Sequence, residues 1–274
     1  MSFSRRLAAI FVAAAALVAP LAPAAQAQDR NMVIFGDSVI SDPNMGQWAA
    51  GKLGLDPRGR SDNGTWCPTS ATNWGKRSAA KLGLAARDYS CTGVVTISKG
   101  PGLFQQVDRA IADRGLSPAT ARVIISVGFN DTYNNNSRPD GDIRRDFTRY
   151  MVPQINRIRA AAPNARIQIV GYPTIGSGDR YCLLHFGPQP ADATALPTVQ
   201  RYENVAQWMQ VDLANATGTE FVDMKPATWD RGMCAGADKR LWAGLVDFSA
   251  GPGNLPLHIN DRGQEFVATQ LARS

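Results

Sequence analysis

Histidine is the scarcest chemically active residue in this chain, with two among 274 residues. Any reaction that needs an imidazole base therefore has two candidates, His185 and His258. Cysteine is nearly as sparse, at four, and neither Cys-x-x-Cys nor His-x-x-x-His spacing occurs. That speaks against a zinc site, and no metal is expected. No Gly/Ser-rich or Pro-rich linker divides the chain, and no internal repeat suggests a solenoid. Lysine and arginine outnumber acidic residues for a formal charge of +6, yet the arginines are scattered. Without a basic run or a basic patch interleaved with aromatics, nucleic acid is not an expected partner.

Residues 1–27 read as a secretory signal. Arg5 and Arg6 form its basic start, Leu7 to Leu21 its apolar core, and Ala25-Gln26-Ala27 a small-x-small cleavage site. Pro20 and Pro23 interrupt the apolar run, which is too short to span a bilayer comfortably, so no stable membrane anchor is expected. The expected product is secreted and monomeric, covers 28–274 as one domain, and keeps a formal charge of about +4. In an exported chain an even set of cysteines predicts two disulfides. Proximity favours Cys67–Cys91 and Cys182–Cys234 among the three possible pairings, each contributing about 2–4 kcal/mol.

Apolar runs and helical periodicities alternate along the rest. Strands are expected at Met32–Phe35, 87–90, 122–127, 166–170 and 220–222. Helices are expected at 45–55, 74–82, around 103–111, 143–162, 199–216 and 261–272. Residues 223–257, rich in Gly and Asp, read as an ordered loop held by Cys234. Strands alternating with helices predict an α/β fold whose parallel sheet is covered on both faces.

Met32 to Phe35 stops abruptly at Gly36-Asp37-Ser38. A serine there sits at a strand end, where open parallel sheets place their active sites. No Gly-x-Ser-x-Gly elbow surrounds it, which disfavours the α/β-hydrolase fold. Three later positions suit the same chemistry. Gly93 follows a strand and offers an unobstructed N–H; Asn130, in Gly128-Phe-Asn-Asp131, offers a carboxamide just past the strongest strand; His258 precedes the terminal helix.

Ser38, Gly93, Asn130 and His258, in that order, resemble the four blocks of the SGNH (GDSL-type) hydrolase superfamily. Cys67-Pro-Thr-Ser and Ser90-Cys91-Thr-Gly93 resemble the first disulfide segment of its secreted actinobacterial lipase and esterase branch. The resemblance implies a three-layer α/β/α sandwich with a mostly parallel five-stranded sheet, flavodoxin-like in outline. It implies a serine carboxylic-ester hydrolase (carboxylesterase or lipase, EC 3.1.1-type) with Ser38 as nucleophile and His258 as base. Ser38, Gly93 and Asn130 would form the oxyanion hole. It implies no cofactor, and a small-molecule or lipid ester as substrate. An envelope O-deacetylase or acyltransferase, and a non-catalytic secreted binding protein, are the alternatives. The family usually carries Asp three residues before its histidine, where this chain has Leu255. The Leu255 carbonyl is the expected partner of the ring, with Asp247 or Asp223 as rivals.

Overall fold

The computed structural model describes residues 30–53, 55, 67–251 and 253–274. The expected signal segment and its cleavage site lie outside them. Five parallel strands form the central sheet: β1 (Asn31–Gly36), β2 (Ala85–Asp88), β3 (Thr120–Ser126), β4 (Arg166–Val170) and, after three short strands, β8 (Glu220–Val222). Their order is β2-β1-β3-β4-β8. The short strands are β5 (Arg180–Tyr181), β6 (Leu184–His185) and β7 (Thr194–Ala195). β5 pairs with β7, and β6 pairs with β9 (Val246–Asp247). The helices are α1 (Ser38–Ser41), α2 (Met45–Lys52), α3 (Trp74–Lys81), α4 (Leu103–Ala112), α5 (Phe129–Asn134), α6 (Asp140–Ala161), α7 (Pro197–Thr217), α8 (Lys225–Thr228) and α9 (Asp261–Arg273).

The unbroken apolar run of β1 follows from its position. Side chains alternate across a strand. Val33 and Phe35 enter one core, with Val107 of α4, Phe147 and Ile155 of α6 and Leu213 of α7. Met32 and Ile34 enter the other, with Trp74 and Ala79 of α3 and Val267 and Leu271 of α9. A strand covered on both faces is apolar except where a buried partner takes up a polar group, as Gly115 O does for Asn31 Nδ2 at 3.0 Å.

The chain runs from β1 out to β2 and returns to β3 on the opposite side of β1. That reversal opens a crevice outside the carboxyl ends of β1 and β3, the place where open α/β sheets hold ligands.

Expected elements differ in extent at several ends, three of them with a clear physical reason. β2 starts at Ala85, two residues ahead of the expected strand, because its register is set by Asn31↔Ala85 through Ile34↔Asp88. The strand ends where Asp88 Oδ1 accepts from the N–H and hydroxyl of Ser90. α6 begins at Asp140 rather than 143; its first turn is acidic, which suits the positive end of a helix but leaves no apolar period to read. The segment 223–257 is not wholly loop, since it contributes α8 and β9. Both predicted disulfides, Cys67–Cys91 and Cys182–Cys234, are formed.

Candidate active site

Gly36 ends β1 with no room for a side chain: a Cβ would lie 2.4 Å from both Ile40 Cγ2 and the Ser126 carbonyl. The buried amide of Gln106 reads both of its backbone groups, accepting from Gly36 N at 2.9 Å and donating to Gly36 O at 2.8 Å. Asp37 then caps α1 by accepting from Val39 N at 2.9 Å. Ser38 is the first residue of that turn, where a backbone N–H has no intrahelical partner. No described residue accepts from the N–H of Ser38 or pairs with its hydroxyl.

Gly93 adopts φ +78° with nothing within 4 Å of where its Cβ would stand, so backbone conformation alone selects glycine. At the third strand end, Asn130 Nδ2 donates to Val94 O at 2.8 Å, and Tyr133 donates its hydroxyl to Asn130 Oδ1 at 2.9 Å. A carbonyl can only accept, which fixes the orientation of the carboxamide and leaves its second N–H unused by these partners. Asp131, fully buried, accepts from Thr96 N and Oγ1 at 2.8 Å each. It also accepts from Ile97 N at 3.1 Å, Ser98 N at 3.0 Å and Ser98 Oγ at 2.7 Å. The Asn-Asp pair therefore fastens the glycine-bearing loop to the end of β3.

His258 stands two residues before Asn260, whose side chain caps α9 by accepting from Gly263 N. Leu257 before it has φ +62°, a left-handed conformation that costs a side-chain-bearing residue about 1–2 kcal/mol. The bend brings His258 Nδ1 to 2.8 Å from the Pro256 carbonyl. Nδ1 must carry the proton of that bond, so Nε2 presents its lone pair. Burial holds the imidazole below its ordinary value of 6.5, against the opposing pull of the Pro256 carbonyl.

This corrects the expectation for Leu255, whose carbonyl accepts from Asn254 Nδ2 at 2.8 Å. Neither rival carboxylate reaches the ring. Asp247 is bound to Arg240, Gly244 N and Ser249, and Asp223 to Gln207 and Lys225 N. The other histidine, His185, is buried and satisfied. Its Nε2 lies 2.9 Å from Cys182 O, and its Nδ1 lies 2.8 Å from Arg240.

Ser38, Gly93, Asn130 and His258 line one cavity of about 690 Å³. Its remaining wall is mostly apolar, with Trp48, Ile175, Leu183, Leu196, Val199 and Met233 among the lining residues. One further member carries no role that sequence alone assigns. Tyr172, beyond the end of β4, donates to Asp37 Oδ2 at 2.5 Å and accepts from Phe129 N at 3.2 Å. One buried phenol thus links the turn that carries Ser38 to the turn that carries Asn130. Its only sequence signal is its place in Gly171-Tyr-Pro173 at another strand end. Burial pushes the Asp37 carboxyl up to about 6, and burial with the neighbouring Asp37 pushes the Tyr172 hydroxyl well above 10.

Among the described residues no helix is long and apolar enough to cross a membrane, and no cluster of His, Cys, Asp and Glu is placed to hold a metal ion.

The fold has solved counterparts at low sequence identity. The chain is similar to phospholipase A1 from Streptomyces albidoflavus NA297 at 16% identity and TM-score 0.56, over 88% of this chain and 99% of that one. It is similar to Est24, a carbohydrate acetylesterase from Sinorhizobium meliloti, at 15% identity and TM-score 0.52, over 89% and 97%. No curated protein sequence matches it. The model of the GDSL-like lipase/acylhydrolase family matches residues 34–266. With that span including all four predicted blocks, the chain belongs to the GDSL-like lipase/acylhydrolase family.

Proposed function

We propose that the protein is a secreted serine ester hydrolase that works through an acyl-enzyme on Ser38. The observation that carries this reading is the convergence of Ser38, Gly93, Asn130 and His258 on one cavity. His258 Nε2 takes the Ser38 proton as the hydroxyl attacks the ester carbonyl. The negative charge that develops on oxygen meets the N–H groups of Ser38 and Gly93 and the Asn130 amide. Each such donor typically contributes about 2.7–4 kcal/mol to the transition state. His258 then returns the proton to the leaving alcohol, and water repeats the sequence on the acyl-enzyme. The Pro256 carbonyl fixes the ring tautomer and takes the orienting role of a triad carboxylate.

The apolar wall supports an aliphatic or aromatic acyl group as the bound half of the ester, in preference to acetyl groups on a glycan. Two disulfides fit an exported chain, and the bridged Cys67–Cys91 segment supports placing it in the secreted lipase and esterase branch. A fluorophosphonate probe tests the nucleophile. Labelling of the wild type that is absent from Ser38→Ala is expected; equal labelling of both would remove Ser38 from the reaction.

A further inference from the structure

The ribbon of β6 and β9 has its polarity inside out. The strands pair in parallel with Leu184 opposite Val246 and His185 opposite Asp247. Alternation turns His185 and Asp247 inward, and leaves Leu184, Phe186, Val246 and Phe248 on the other face. Beneath the ribbon, buried Arg240 pairs with His185 Nδ1 at 2.8 Å. It also donates to Asp247 at 3.0 and 2.8 Å and to Ser249 Oγ at 2.7 Å. On the outside, Phe248 is 78% exposed and Phe186 57%, their ring centroids 5.7 Å apart, with Leu245 and Val246 exposed beside them. A soluble fold normally reverses this arrangement, keeping charge in water and aromatics in the core.

The ribbon that carries this face is joined to the cavity wall through two backbone hydrogen bonds. Leu183 lines the cavity and accepts from Val246 N at 3.0 Å. Leu257, next to His258, also lines it and donates its N–H to Gly244 O at 3.1 Å. Within 183–187 and 244–249 the only ionisable side chains are His185 and Asp247, both turned inward, while Asp192 from the following loop accepts from Leu184 N at 2.8 Å along the edge of β6. Its exposed apolar surface is roughly 400 Å², the size at which a patch on a monomer is commonly functional. That is about half of the ~800 Å² per partner that a stable protein interface buries. A large, mostly apolar face on a ribbon joined to the cavity wall suits an apolar phase better than a second protein or an anionic surface.

We propose that this face docks the protein onto aggregated ester lipid, with Phe186 and Phe248 seated in the acyl layer beside the cavity mouth. The proposal rests on the ester-hydrolase reading and names the physical form of its substrate. The test compares the full chain with the double variant Phe186→Ser/Phe248→Ser. One arm is co-sedimentation with phosphatidylcholine vesicles, with and without anionic lipid, repeated in a Ser38→Ala background. The other is hydrolysis of an emulsified long-chain triglyceride against a monomeric short-chain p-nitrophenyl ester. The wild type is expected to bind zwitterionic vesicles. The double variant should bind at least tenfold more weakly and lose emulsion turnover by a similar factor, with kcat/KM on the monomeric ester within twofold. Binding that requires anionic lipid, binding unchanged in the variant, or a wild-type dimer that the variant dissociates would each overturn the proposal. Vesicle binding with no turnover of any ester would support docking and sink the hydrolase reading. Intact turnover of the monomeric ester without vesicle binding would sink docking alone.

Discussion

Tyr172→Phe keeps the buried ring and deletes one oxygen, so its consequences follow from two hydrogen bonds. Phe129 N loses its acceptor, and an unpaired buried N–H costs about 1–3 kcal/mol at any pH. Asp37 Oδ2 loses its donor, and that effect depends on pH. The Asp37 carboxyl ordinarily titrates at 3.8, and burial raises it to about 6 in the fold. A carboxyl raised on folding stabilises the fold while protonated: the contribution is complete below 3.8 and is lost as pH rises through about 6. Tyr172 is the main influence holding that value down. Removing it moves the folded value higher, and every tenfold weakening of the acid costs about 1.4 kcal/mol once the group must ionise. Urea unfolding should therefore show a loss of about 1–3 kcal/mol at pH 5 that grows larger at pH 8. Because the deleted hydroxyl bonds only the two turns, kcat should fall about tenfold while KM stays within twofold. A stability loss identical at both pH values, with kcat unchanged, would refute the bridging role.

Asp247→Asn should leave turnover within a few-fold while costing about 3–5 kcal/mol of stability, because Arg240 remains buried beside a neutral partner. A drop in kcat near the ~10⁴ typical of a triad aspartate would instead restore the triad. Asn130→Ala is expected to lower kcat about 10²–10³-fold in steady-state assays on a monomeric ester. An unchanged kcat would remove the carboxamide from the oxyanion hole. The neutral imidazole is the base and burial lowers the value of His258, so activity persists as pH falls past 6.5 and is lost only through the lower folded value. A kcat/KM profile whose acid limb lies above pH 6.5 would contradict that environment.

The chain order of Ser38, Gly93, Asn130 and His258 is legible because each sits in a short local pattern beside a strand end or a terminal helix. The orienting partner of His258 is not legible. Counting back three residues points to Leu255, but the left-handed backbone at Leu257 turns the Pro256 carbonyl to the ring. A positive φ at a leucine leaves no mark in composition or periodicity. The Tyr172–Asp37 bond joins residues 135 apart, a separation at which local propensity says nothing. The ribbon of β6 and β9 leaves no trace in the sequence because two-residue strands are too short to show alternation.

By itself the sequence determined the elements: which runs are buried on both faces, where turns demand glycine, and which cysteines lie near enough to pair. These are local or entropic constraints that neighbouring residues impose on one another. Tertiary structure alone decided the strand order, the crevice at the β1–β3 reversal, the acceptor behind His258 and the phenol that ties two turns together. The strand order, the crevice and the phenol depend on groups distant in the chain brought together only when the sheet has closed, and the His258 acceptor on a backbone turn at Leu257 that no local pattern announces.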